Sequence, residues 1–172
     1  MDRRPIVITG FMCSGKTSVA RALAQRLRCV ATDLDDEITS IEGCTPAEMI
    51  VQRGEPAFRE IESQVLQRAL EQRKAPVIAL GGGAWAVSGN RELIDKFKCV
   101  TVWLDASFEA CWKRITLSVG SRPLAPDRRQ AQELYEHRRP LYELAKMRIQ
   151  VTEELDPQDV AELVAAQLKV GK

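Results

Sequence analysis

Residues 10–18, GFMCSGKTS, follow the apolar run PIVIT at 5–9 and precede VARALAQRL at 19–27. From Gly10 through Gly15, Lys16 and Thr17 the spacing is GxxxxGK(S/T), placed where a strand pattern gives way to a helical one. A turn of this kind aims several backbone N–H groups and a helix N-terminus at one point, which makes a cradle for phosphate oxygens. Lys16 is then placed to neutralise β/γ-phosphate charge, and the Thr17 hydroxyl to ligate Mg²⁺.

The surrounding composition fits a single globular domain: 172 residues, 45% hydrophobic, are enough for a sizeable core. A net charge of +1 gives no broad basic field, so neither a nucleic-acid nor a membrane partner is expected, and any anion must be held by a local arrangement. MDRRPIVITG carries too short an apolar run for a signal peptide, and no stretch approaches a membrane span, so a soluble, cytoplasmic protein is expected. The five cysteines, with no CxxC pair, read as reduced thiols. His137 is the one histidine, which excludes a His-based metal centre.

Short β-branched runs at 6–9, 29–32, 77–80, 99–104 and 147–152 alternate with longer helical patterns, predicting an α/β domain with a mainly parallel sheet. The clearest helix spans about 55–73, with Phe58, Ile61, Val65, Leu66, Ala69 and Leu70 on one face. Before it, TPAE at 45–48 reads as a capping box with Pro at the first helical position. The polar stretch at 117–130 is the longest candidate for a mobile loop. The C-terminal DPQDVAELVAAQL reads as an amphipathic helix with no functional signal.

Ligands of open parallel sheets bind beyond the carboxyl ends of the strands, so the strand ends are candidate site residues. Asp33 and Asp35, two apart in extended chain, can face one cleft; equally they are N-cap and first-turn acids of the next helix. The glycines at 81–83 allow close approach to a ligand or form a plain turn. Asp105 reads either as a Walker B acid or as a cap for a helix starting near Ser107. Arg59, Arg122 and Arg138 are candidates for bidentate recognition of carboxylate or phosphate, against solvated side chains as the alternative.

Taken in order, GFMCSGKTS, DLDDEI, GEPAFRE, ALGGGA, SRPL and RRPLYE resemble the shikimate kinase family over about residues 5–152. The resemblance implies a P-loop NTPase fold of the nucleoside-monophosphate-kinase type: a three-layer α/β/α domain over residues 1–172, with a central five-stranded parallel sheet, a substrate-binding helical region and a lid at about 117–130. It implies ATP- and Mg²⁺-dependent phosphorylation of the 3-hydroxyl of shikimate by a monomer.

In that alignment Cys13, Ser14, Gly15, Lys16, Thr17 and Ser18 surround the ATP phosphates. Arg114 flanks the adenine, and Arg122 reaches ATP from the lid. Thr17 and Asp33 serve Mg²⁺. Asp35, Arg59, Gly81, Gly82 and Arg138 hold shikimate, with Asp35, Lys16 and Arg122 catalytic. The chain departs from the family pattern at Cys13, where Gly is usual, at Leu80 and at Ala125. A gluconate-type small-molecule kinase and a catalytically inactive nucleotide-binding module remain as alternatives. A GTPase switch does not fit, because no NKxD is present and Asp105 is followed by ASF.

Overall fold

The structure, a computed structural model, describes residues 4–118 and 123–170. β1 (Ile6–Thr9) leads through the glycine-containing loop into α1 (Lys16–Leu27). There follow β2 (Ala31–Asp33), α2 (Leu34–Glu42), α3 (Pro46–Arg53) and α4 (Glu55–Gln72). β3 (Val77–Ala79), a 3₁₀ turn (Ala84–Ala86) and α5 (Ser88–Lys96) come next. β4 (Val100–Ala106), α6 (Phe108–Leu117), α7 (Arg128–Tyr142), β5 (Met147–Val151) and α8 (Pro157–Val170) complete the order.

The five strands form one parallel sheet in the order β2-β3-β1-β4-β5. Every residue of β1, β3 and β4 is buried, as expected of strands covered on both faces, whereas the edge strand β5 alternates. Because β1 lies between β3 and β4, the chain reverses its direction of travel across the sheet there. That switch point opens a crevice beyond the end of β1, where the GFMCSGKTS loop lies. α1 packs on α8, and α4 contacts α2, α3 and α5. No helix of the described residues is long and apolar enough to cross a membrane.

The local signals read from sequence hold. Thr45 and Glu48 make the reciprocal capping box of α3, and α4 buries Phe58, Val65, Leu66 and Leu70. Of the two readings of Asp33 and Asp35, the helix-start one holds and the extended one does not: α2 starts directly after β2, Asp33 caps it by accepting from the N–H groups of Asp35 and Asp36, and Asp35 occupies its first turn. The reading of Asp105 as a helix cap needs correction. This residue lies within β4, and Ser107 caps α6 by accepting from the Ala110 N–H. Asp105 is buried and binds Arg139 at 2.6 Å and Arg148 at 2.5 Å, with both guanidiniums stacked over Trp103. This cluster ties α7 to β4 and β5.

Candidate active site

Gly10, Cys13 and Gly15 all have positive φ, at 145°, 59° and 97°. At Gly10 a Cβ would lie 2.8 Å from the Leu104 carbonyl oxygen and 2.9 Å from Ser14 Oγ, so only glycine fits. Cys13 carries the strain expected of a residue with a side chain in the left-handed region. No side chain caps α1, which leaves its first N–H groups to face the cleft. Lys16 folds back across the loop and donates to the Phe11 carbonyl at 2.8 Å. Burial pulls its ammonium below the ordinary lysine value, while Asp35 and Asp33 push the other way.

The cleft above this loop has a volume of about 530 Å³, in the range of nucleotide-sized sites. Cys13, Ser14, Gly15, Lys16, Thr17 and Ser18 form its floor, and Arg114, whose Nη1 donates to the Cys13 carbonyl at 3.1 Å, forms one wall. An apolar wall is made by Val151, Leu155, Pro157 and Val160 from β5, α8 and the segment between them. Sequence reasoning missed this wall, which lies 130 residues and more beyond the loop.

At the loop's far end the Thr17 hydroxyl donates to Asp33 Oδ2 in a short hydrogen bond. A hydroxyl and a carboxylate beside a phosphate cradle form an oxygen donor set that suits Mg²⁺, which keeps waters and phosphate oxygens as its other ligands. No cluster of three or more His, Cys, Asp or Glu side chains able to hold a metal occurs among the described residues.

A second, smaller pocket of about 120 Å³ opens beside the first. Met12, Asp35 and Gly82 line both cavities, so the two meet at Asp35. Burial and the neighbouring Asp33 raise the Asp35 carboxyl above the ordinary aspartate range, against the pull of Lys16 and Arg59.

Arg59 from α4 and Arg138 from α7 converge at the third glycine: a Cβ at Gly83 would be 2.2 Å from Arg59 Nη2 and 2.8 Å from Arg138 Nη2. A Cβ at Gly81 would strike Asp35 Oδ1 at 2.6 Å and Glu62 Oε1 at 2.8 Å. Gly81 and Gly83 thus lie hard against pocket side chains, whereas a Cβ at Gly82 would come no nearer than 3.4 Å to Met12. The Gly82 carbonyl accepts from Tyr142 Oη at 2.7 Å and from Arg138 Nη1 at 3.2 Å. With both lone pairs engaged, Gly82 can meet a ligand only through its N–H. Trp85 Nε1 donates to the Leu141 carbonyl at 2.7 Å and pins the following turn to α7.

Burial weakens the hold of Arg138 on its proton. Arg59 is also opposed by burial, but Glu62 and Glu55 outweigh it and leave its guanidinium above the usual value. Two guanidiniums so close, one of them nearly buried, form a strong receptor for a small carboxylate. Glu62, fully buried, was not anticipated from the sequence. A signal existed, because it is an acid four residues from both Phe58 and Leu66, on the core face of α4. His137, next to Arg138, is exposed. Arg122 lies outside the described residues.

The family model for shikimate kinase matches residues 12–169. A shikimate kinase of Synechococcus sp. (strain JA-3-3Ab) is 36% identical over 162 residues, covering 92% of this chain and 84% of that protein. One from Cereibacter sphaeroides is 40% identical over 152 residues, covering 86% of this chain and 74% of that protein. A solved structure of shikimate kinase from Acinetobacter baumannii in complex with shikimate superposes with a TM-score of 0.91 at 32% identity, covering 99% of this chain and 96% of that one.

Proposed function

The chain belongs to the shikimate kinase family, and from that premise we propose that it transfers the γ-phosphoryl group of ATP to the 3-hydroxyl of shikimate, giving shikimate 3-phosphate and ADP in the route to chorismate and the aromatic amino acids. The observation that carries the reading is the convergence of Arg59 and Arg138 on Gly83, in a pocket that shares Asp35 with the phosphate cradle.

In this reading the acid group of shikimate docks on Arg59 and Arg138, with the N–H groups of Gly81 and Gly82 against the ring substituents. The hydroxyl to be phosphorylated faces Asp35. Asp35 accepts that hydroxyl's hydrogen bond and orients its oxygen toward the γ-phosphorus, and its raised proton affinity suits a group that receives a proton as the O–P bond forms. Phosphoryl transfer asks a protein mainly for alignment and charge stabilisation, which a two-point clamp on a small acid supplies.

The phosphates lie on the N–H groups of residues 13–18, and Lys16 supplies positive charge to them. Thr17 would hold Mg²⁺ directly and Asp33 through water; when bound, the ion offsets charge on the β- and γ-phosphates. Adenine takes the space between Arg114 and the apolar wall of Val151, Leu155, Pro157 and Val160. By the family resemblance Arg122, which lies outside the described residues, would complete the phosphate clamp from a lid at about 117–130 and exclude competing water. The working unit is one domain over residues 1–172, a cytoplasmic monomer with small-molecule partners only.

A coupled assay of ADP release tests this reading against a panel of hydroxy acids. Shikimate-dependent turnover is expected. Turnover with gluconate in its place, or ATP binding with no acceptor-dependent turnover, would overturn the reading in favour of a gluconate-type kinase or an inactive nucleotide-binding module.

A further inference from the structure

Arg59 reaches the acid pocket with its fork already engaged on two sides. Nη1 donates to Glu62 Oε2 at 2.7 Å, while Nε and Nη2 both donate to a single oxygen of Glu55, at 3.2 Å and 3.0 Å. The two acids differ in kind. The Glu62 side chain is fully buried, whereas that of Glu55 is 43% exposed. Glu62 is therefore a permanent partner, since withdrawing it would leave a guanidinium facing the core, and Glu55 can leave by rotating into water.

Nη2 is also the atom nearest the third glycine, facing Arg138 Nη2 across it. Nη2, the Arg59 atom that reaches the glycine turn of the acid pocket, is thus already bonded to one of the chain's own carboxylates, which stands behind the pocket and not in its lining.

We propose that Glu55 is an internal competitor of the substrate's carboxylate: it occupies the Nε/Nη2 edge of Arg59 in the free enzyme and gives way when the acid arrives, and so sets how tightly an acid must bind to be accepted. The inference rests on the functional reading above and assigns a specificity-determining residue to the same pocket. A planar guanidinium edge is best satisfied by two parallel N–H···O bonds to the two oxygens of one carboxylate. Glu55 offers one oxygen to both nitrogens, so an incoming acid that also reaches Arg138 replaces it with better geometry and a second anchor. An acid that reaches Arg59 alone gains nothing over Glu55 and is refused. Released, Glu55 remains in the first turn of α4, where a negative charge suits the helix dipole.

Steady-state kinetics of Glu55→Gln test this, with Glu60→Gln as the control for loss of one exposed negative charge from the same helix. The KM for shikimate is expected to fall about two- to fivefold in Glu55→Gln, the span of a partly exposed ion pair. The KM for ATP should not move, and Glu60→Gln should match wild type. A melting curve confirms that Glu55→Gln is folded. If Glu55 only props Arg59 in place, the KM for shikimate stays level or rises, and the proposal is overturned. An equal fall in Glu60→Gln would also overturn it, by assigning the effect to the general field. Failure of the functional reading looks different, because wild type itself would then show no shikimate-dependent turnover, and this inference would go with it.

Discussion

Glu62 and Arg59 are joined through one carboxylate oxygen only: Oε2 accepts from Arg59 Nη1 at 2.7 Å, while the buried Oε1 has no hydrogen-bond partner among the described residues. Burial pushes the Glu62 carboxyl up to about 7; Arg59 opposes the shift and Asp35 adds to it. Between the ordinary glutamate range and about pH 7 the folded chain therefore holds a proton that the unfolded chain releases.

With its folded value above its unfolded one, the Glu62 carboxyl contributes less to stability as pH rises from the ordinary glutamate range through about 7. Glu62→Gln lacks this titration. Its melting temperature should gain on wild type by on the order of 5 °C between about pH 5 and pH 8. Parallel curves across that window would show that Glu62 stays charged throughout.

Asp35 stands where the two cavities meet. Asp35→Asn keeps the shape but removes the acceptor for the hydroxyl's proton, so kcat should fall about 10²- to 10⁴-fold with ATP affinity near wild type. Comparable losses in kcat and ATP affinity, read by single-turnover kinetics and calorimetry, would place Asp35 in the nucleotide site instead.

Gly83 has a φ of −111°, so alanine meets no backbone strain there. The added methyl would meet both Arg59 and Arg138. Gly83→Ala should raise the KM for shikimate roughly tenfold or more, as a displaced bidentate contact does, and leave the KM for ATP unchanged. An unchanged KM for shikimate would mean that the two arginines do not hold the acid.

Cys13 has a φ of 59°, where a residue with a Cβ is strained. Cys13→Gly removes the strain but frees the unfolded chain, so a net gain of about 0.5–1 kcal/mol is expected. Differential scanning calorimetry should show this as a rise in melting temperature of about 1–4 °C. A fall would show that the thiol contributes packing worth more than the strain.

Much of the fold was legible because its signals are local. The apolar run before Gly10, the GxxxxGK(S/T) turn and the capping box at Thr45 each depend on a few neighbouring residues. What escaped depends on distant partners. Asp105 looked like a cap or a metal ligand because nothing near it in sequence announces Arg139 and Arg148, which reach it from α7 and β5. The apolar wall of the nucleotide cleft lies at the other end of the chain from its floor, and α8 read only as an amphipathic helix without a functional signal. Asp35 was legible by identity, and its conformation as one of two readings, since only the abrupt start of α2 distinguishes a first-turn acid from an extended one. Glu62 left a readable mark, a charge on an apolar helix face, that periodicity alone passes over.

The central claim is that a pair of guanidiniums fixes an organic acid so that its hydroxyl meets ATP at Asp35. Comparing the phosphorylation of shikimate with that of its methyl ester tests the claim directly, because the ester keeps every hydroxyl and loses only the negative charge. Efficient turnover of the acid is expected, with kcat/KM for the ester lower by about 10²-fold or more, the scale of losing a buried charge-assisted bidentate contact. An ester phosphorylated as efficiently as the acid would contradict the account, since Arg59 and Arg138 would then have no part in holding the substrate.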